Sequence, residues 1–265
     1  MGVKEVLRQL DDLYQICRRD EAELLLEREI SSCRRQKDEE GLLLLFNELI
    51  GLYRETGRAE KGILIAEEAA LLIQKLNLCQ TPQQGATLLN AASVHRVAGH
   101  YSQSLMLYQQ AAEIFQKNNL ENSFYMASLY NNKSQVYLDM NQYEAALNYQ
   151  EKALYLIETF SNSQSEIATT KINISYTYMA LNKLEEAGRV LEEAMEYYQT
   201  SGKNDSHYPA FLSAFGHLAF NQKDYILAAQ YFQQALETEL NTFGENDACK
   251  MIRLNLQAAM EKIKQ

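Results

Sequence analysis

The segment YNNKSQVYLDMNQYEAALNYQEKAL, residues 130–154, decides the fold, because four other segments of the chain align with it. The aligned segments are FNELIGLYRETGRAEKGILIAEEAA from Phe46, LLNAASVHRVAGHYSQSLMLYQQAA from Leu88, KINISYTYMALNKLEEAGRVLEEAM from Lys171 and LSAFGHLAFNQKDYILAAQYFQQAL from Leu212. Successive segments begin 42, 42, 41 and 41 residues apart. A regular period of this length is typical of repeat proteins, in which neighbouring units stack and share one core.

Each repeat predicts one helical hairpin. Two stretches carry apolar residues at the spacing of one helix face, and a short turn such as 140–142 separates them. Pro82 and Pro209 fall at the predicted starts of first helices, where a missing amide hydrogen costs little. Polar linkers are predicted between the hairpins, at residues 77–84, 161–165, 201–206 and 241–247.

The composition agrees with an all-α protein, and the net charge excludes some classes of partner. The 265 residues include only 2 Pro and 11 Gly, too few chain-breakers for a fold of many strands and turns. The net charge of −10 opposes attraction to nucleic-acid phosphates or anionic lipid. We therefore expect neither nucleic acid nor a membrane surface as a partner.

The sequence predicts a cytoplasmic location. No apolar run is long enough to span a membrane, and the first residues lack the pattern of a secretory signal. The four cysteines, Cys17, Cys33, Cys79 and Cys249, are scattered and form no CxxC pair. They are expected to be free thiols in a reducing compartment.

Small residues recur where the two helices of each hairpin cross. In the first helices they are Ala92, Ser134, Ser175 and Gly216, and in the second helices Gly62, Ser104, Ala146, Ala187 and Ala228. A larger side chain at these points would push the helices apart. Aromatic residues recur beside them, at Tyr53, Tyr137 and Tyr178 in the first helices and at Tyr108, Tyr149 and Phe232 in the second.

This pattern resembles the tetratricopeptide repeat (TPR), and the longer period resembles repeats of the kinesin light chain type. The resemblance implies an all-α, right-handed superhelix, an α-solenoid of about six helical hairpins plus a C-terminal capping helix, with about thirteen helices in total. Residues 1–265 are predicted to form a single solenoid. Its parts are a degenerate N-terminal hairpin at 1–38, five clear repeats at 43–240 and the capping helix at 247–264.

The residues typical of catalytic and metal sites are not found. His95 and His100 are the only near neighbours among four histidines, and they are expected to point to different helix faces. Phosphate-binding glycine loops and nucleophile elbows do not occur either. The sequence therefore predicts no enzyme, no metal site, no cofactor and no disulfide.

Asparagine recurs at one position of the first helices, which we call the groove register. Its residues in successive repeats are Glu48, Asn90, Asn132, Asn173, Ala214 and, in the capping helix, Asn255. Asparagine is a mediocre helix former, so its repetition needs a reason. The resemblance implies that first helices line a concave groove, where Asn90, Asn132 and Asn173 would grip the main chain of an extended peptide. The alternative is that these amides tie neighbouring first helices together.

The other residues predicted to line the groove change from basic to polar to apolar along its length. Arg54 and Arg96 make its N-terminal part basic, and Asn131 and Gln135 extend the polar middle. Towards the C-terminal end, Tyr176, Met179, His217 and Phe220 form an apolar and aromatic stretch.

Three functions follow in order of preference. The first is a non-enzymatic scaffold or adaptor that binds an extended peptide or a segment of a protein partner in the groove. The second is a ligand-controlled regulator resembling peptide-pheromone receptors, and the third an enzyme accessory or catalytic domain. The oligomeric state and the identity of the partner are left open.

Overall fold

The computed structural model describes residues 2–15, 18–200 and 205–265, and these residues form thirteen α-helices and no strand. Cys17 and the first four residues of the predicted linker 201–206 lie outside the described residues. The helices are α1 Val3–Gln15, α2 Arg19–Gln36, α3 Glu39–Glu55, α4 Ala59–Lys75, α5 Pro82–Val97, α6 Tyr101–Lys117, α7 Phe124–Asp139, α8 Tyr143–Ile157, α9 Gln164–Ala180, α10 Leu184–Thr200, α11 Tyr208–Asn221, α12 Tyr225–Phe243 and α13 Asp247–Ile263. The all-α prediction and the predicted number of helices are confirmed.

The hairpins follow the predicted pattern, with small differences at the linkers. Pro82 begins α5, so the preceding linker ends at Thr81. This agrees with the preference of proline for the first turn of a helix. Helix α12 continues to Phe243, three residues into the predicted linker 241–247, and ends at Gly244, whose φ is +72°. The helix therefore stops where glycine permits a left-handed backbone conformation.

The chain divides into two compact units, an N-terminal unit Met1–Val136 and a C-terminal unit Tyr137–Gln265. The division falls within α7.

The N-terminal unit is packed through close helix crossings. Ser104 Oγ donates a hydrogen bond to the main-chain oxygen of Ala92 at 2.7 Å, which joins α6 to α5 where small residues are predicted to meet. Close to this crossing, the Tyr108 hydroxyl is fully buried and lies 2.8 Å from Ser93 Oγ. A Cβ atom added to Gly85 would lie 2.5 Å from the Phe115 ring, so only glycine fits there.

The C-terminal unit also contains a glycine that packs against a buried aromatic ring. A Cβ atom added to Gly216 would lie 2.6 Å from the buried Phe232 ring. Tyr198 packs on Phe211 with ring centroids 4.5 Å apart, and both rings are buried. The register of small and aromatic residues therefore positions the first helices in both units, and with them the predicted groove residues.

Candidate functional site

Asn90 links two first helices in the N-terminal unit. Its side-chain amide donates to Asn47 Oδ1 at 3.0 Å, and Asn47 Nδ2 in turn donates to Thr87 Oγ1 at 3.2 Å. Asn47 lies on α3, whereas Asn90 and Thr87 lie on α5. The amide of Asn90 therefore ties neighbouring first helices, which is the alternative considered for the groove register.

The other predicted amides of the N-terminal unit lie on α7 and are half-buried: Asn131, Asn132 and Gln135. Asn132 Nδ2 lies 3.4 Å from Ser128 Oγ, one turn earlier on the same helix. A hydrogen bond of this length is weak. Asn132 is thus held less firmly than Asn90.

The predicted basic residues lie near the buried tyrosine of α6. Arg54 is paired with Glu55, with its Nη2 atom 3.6 Å from the carboxylate. Burial raises the pKa of Tyr108 to about 12, although its hydrogen bond to Ser93 and the nearby charges of Arg96 and Arg54 act in the opposite direction. The two guanidinium groups therefore contribute positive potential to the same part of the N-terminal unit.

In the C-terminal unit, His217 is the centre of the predicted aromatic stretch. Its ring makes edge-on contacts with Tyr176 and Phe232, at centroid distances of 5.5 Å and 5.1 Å. Its Nε2 atom lies 3.2 Å from Asn255 Nδ2, so the imidazole connects α9, α11, α12 and α13. Burial lowers the pKa of His217 and raises that of Tyr176, which favours the neutral forms of both.

Met179 and Phe220 complete this stretch and also make packing contacts. Asn221 Nδ2 lies 3.6 Å from the sulfur of the buried Met179. The half-buried Phe220 ring contacts Tyr225 edge-on at 5.3 Å. Both side chains therefore pack between helices as well as occupying predicted groove positions.

Asn173 differs from Asn90 in its hydrogen bonds. Its main-chain oxygen accepts from Thr177 Oγ1 at 3.2 Å and from Gln150 Nε2 at 3.4 Å. Its side chain is half-buried, and within the described residues its amide group makes no hydrogen bond.

Comparison with known proteins identifies the repeats. Models of the family described as tetratricopeptide repeat match residues 125–200 and 211–242. The chain contains tetratricopeptide repeats. The comparison with curated proteins finds no match.

Solved structures share the fold at low sequence identity. A Podosopora anserina kinesin light chain protein with nearly identical TPR-like repeats has a TM-score of 0.62 and 15% identity, covering 76% of this chain and 95% of that chain. BtubC (BKLC) from P. vanneervenii has a TM-score of 0.68 and 20% identity, covering 83% and 93%. NprR in complex with its cognate peptide NprX has a TM-score of 0.69 and 15% identity, covering 98% and 73%. These similarities support the fold of an all-α tetratricopeptide solenoid.

Two residues that organise the tetratricopeptide helices were not predicted as site residues. Asn47 accepts the amide of Asn90, and the fully buried Gln150 accepts from Thr177 Oγ1 at 2.8 Å while its amide donates to Asn173. Gln150 lies on α8, so it connects a second helix to the first helix of the next repeat. A polar residue among the apolar positions of α8 was the available signal.

The expected geometry of His95 and His100 is wrong. Their rings are in contact, with Nδ1 atoms 3.4 Å apart and centroids 5.6 Å apart. Helix α5 ends at Val97, and the chain then reverses at Gly99, whose φ is +79°, so that His100 returns to His95. Across the described residues, no group of three or more His, Cys, Asp or Glu side chains is arranged to hold a metal ion.

The described cysteines form no disulfide. Cys33 and Cys249 are buried and Cys79 is exposed, all as free thiols. Among the described helices, none combines the length and apolar character needed to cross a membrane.

Proposed function

We propose that this protein is a non-enzymatic scaffold or adaptor that binds an extended peptide, or an extended segment of a protein partner, on its first helices. The observation that carries the proposal is the recurring asparagine of the groove register. Asn173 has an amide without a hydrogen-bond partner among the described residues, and that of Asn132 has only a long one. Fold similarity to NprR, solved with its cognate peptide, supports a peptide as the ligand.

The chemistry of the amide suits this role. An asparagine side chain offers both a donor and an acceptor, which matches the N–H and C=O groups along an extended peptide. Such main-chain recognition supplies affinity, while pockets for side chains supply specificity. On α9 and α11, Tyr176 and Phe220 would provide the apolar contacts, and Arg54 and Arg96 would attract acidic groups near α3 and α5.

A ligand-controlled regulator is the second candidate. The similarity to NprR extends over 98% of this chain, which favours a receptor-like use of the same fold. The chain spans 73% of the NprR structure. An adaptor requires only that the peptide binds, whereas a regulator requires that binding changes a second property, such as the assembly state measured by light scattering.

The proposed setting is a reducing cytoplasm, with a protein or peptide as partner and without nucleic acid or membrane. The free thiols and the net charge of −10 support this setting. The family to which the repeats belong is one of interaction modules, which supports a non-catalytic role.

The test begins by selecting a peptide from a phage-displayed library of random 12-residue sequences on the full chain. A fluorescein-labelled copy of the selected peptide is then titrated with wild-type protein and with Asn132→Ala and Asn173→Ala variants. Loss of one hydrogen-bonding amide is expected to cost on the order of 1 kcal/mol or more, which is roughly a fivefold or greater weakening. Both variants are expected to melt like the wild type.

Asn148→Ala is the matched control, because Asn148 is an exposed asparagine on the second helix α8. It removes the same group from a surface that the proposal does not use, so affinity should stay unchanged. Unaltered affinity of the Asn132 and Asn173 variants, together with lower melting temperatures, would show that their amides hold helices together instead.

A further inference from the structure

The turn between α5 and α6 fixes two histidines side by side. The main-chain N–H of His100 donates to the oxygen of His95 at 2.8 Å, and that of Gly99 donates to the oxygen of Arg96 at 2.9 Å. These two bonds, with Gly99 in the left-handed region, form a Schellman motif at the end of α5. The motif places the third-last helical residue next to the second residue after the helix cap.

The same turn brings the corresponding residues together in other hairpins. The N–H of Arg58 donates to the oxygen of Tyr53 at 2.9 Å, and the Arg58 guanidinium lies 5.0 Å from the centre of the Tyr53 ring. The N–H of Gln142 donates to the oxygen of Tyr137 at 2.8 Å. The backbone therefore brings the two residues close together at each of these turns, and at Arg58 and Tyr53 their side chains are in contact.

In the second repeat both residues are histidine, and their geometry suits a metal ion. The two Nδ1 atoms are 3.4 Å apart. In tetrahedral coordination with Zn–N bonds of about 2.0–2.1 Å, two ligand nitrogens are separated by about 3.3–3.4 Å. We propose that His95 and His100 form a two-imidazole binding site for Zn²⁺ or a similar divalent transition metal ion.

The surroundings leave the two imidazoles accessible to a metal ion. His95 is half-buried and His100 is exposed, so the pair can be reached from solvent. Burial and the neighbouring His100 lower the pKa of His95, which favours its neutral form, whereas the negative charges of Glu60 and Glu67, both exposed on α4, act in the opposite direction. Zn²⁺ would bind the neutral imidazoles through their Nδ1 lone pairs, and each ring would keep its single proton on Nε2.

Two imidazoles leave coordination positions open. Imidazole suits Zn²⁺, Cu²⁺ and Ni²⁺, whereas Mg²⁺ prefers oxygen ligands. Water completes the coordination in the isolated chain, and a histidine, cysteine or carboxylate from a bound partner could replace it. The site is independent of the peptide grip proposed above, because none of its residues belongs to the groove register.

The experiment is isothermal titration calorimetry of the full chain, prepared without a polyhistidine tag, with ZnCl₂. A 1:1 binding event is expected, and MgCl₂ at the same concentration should give none. The variants are His95→Tyr, which introduces the residue found at this point in other repeats, and His100→Asn, which keeps a residue suited to begin α6. Each should weaken Zn²⁺ binding by about tenfold or more, since the second contact of a chelate is effectively intramolecular.

His207→Ala is the control, because His207 is an exposed histidine on a different turn, bonded to Asp205. Its Zn²⁺ affinity should equal that of the wild type. Circular dichroism melting of both site variants should show that they remain folded. The proposal is overturned if the wild type gives no binding heat at millimolar Zn²⁺, or if the His95 and His100 variants bind Zn²⁺ as tightly as the wild type.

Discussion

Asn90 in the N-terminal unit and Asn173 in the C-terminal unit occupy the same place in the repeat, yet their amides have different roles. Asn90 donates to Asn47 on the preceding first helix at 3.0 Å, whereas the Asn173 amide has no hydrogen-bond partner among the described residues. One asparagine therefore ties two first helices together, whereas the other makes no such contact. A recurring residue therefore need not have one recurring function.

Both units nevertheless contain a glycine that packs against a buried phenylalanine, although at different positions of the repeat. Gly85 lies against Phe115 in the N-terminal unit, and Gly216 lies against Phe232 in the C-terminal unit. Both phenylalanines are almost fully buried. Close contact between a glycine and an aromatic ring therefore occurs in both units.

The largest expected effects follow from this shared packing. Gly85→Ala and Gly216→Ala should each lower the free energy of unfolding by about 1–3 kcal/mol, because the added methyl group overlaps a phenylalanine ring. Urea denaturation followed by circular dichroism measures the change. A large loss of stability for one variant and none for the other would contradict the claim that the glycine contact is tight in both units.

Gly51→Ala is the control for this pair. Gly51 is also inside a first helix, but a Cβ atom there would have no neighbour within 4 Å. The substitution should stabilise the protein by about 0.5–1 kcal/mol, since alanine is the better helix former.

The core and the helices could be predicted from the sequence, but the state of each groove amide could not. Helical periodicity and small residues at crossings act within one hairpin, so a single repeat reveals them. The bond of Asn90 depends on the preceding repeat, where the chain has Asn47; the corresponding residue before Asn132 is Leu89, which cannot accept a hydrogen bond. The contact of His95 with His100 depends on the left-handed turn at Gly99.

The linker before α11 is held by a carboxylate, and the linker before α5 is held by a neutral amide. We therefore expect the stability contributed by the first linker, but not by the second, to depend on pH. Asp205, before α11, accepts hydrogen bonds from Ser165 Oγ at 2.5 Å and Tyr197 at 2.7 Å. Burial acts to raise the pKa of Asp205, but these bonds and those from His207 lower it to about 2. Before α5, the comparable linker is held by a neutral amide, with Asn118 Nδ2 donating to the oxygen of Gln80 at 2.9 Å.

Asp205→Asn should therefore lower the free energy of unfolding by about 1 kcal/mol at neutral pH. Because the pKa of Asp205 is lower in the folded than in the unfolded protein, its stabilisation is complete above pH of about 4 and is lost as the pH falls through about 2. The difference between variant and wild type should shrink over that range in urea denaturation. Asn118→Ala is the control, and its effect should not change between those pH values.

The smallest expected effects on stability concern the two asparagines, and they test the central claim most directly. The measurement is the affinity for the selected fluorescein-labelled peptide, with a melting curve, for Asn90→Ala and Asn173→Ala. Asn90→Ala should lower stability by about 0.5–1 kcal/mol through loss of its bond to Asn47, with affinity nearly unchanged. Asn173→Ala should leave melting unchanged or slightly raised and weaken binding by roughly fivefold or more. Equal melting losses in both variants, with wild-type affinity in both, would contradict the claim that the two amides serve different purposes.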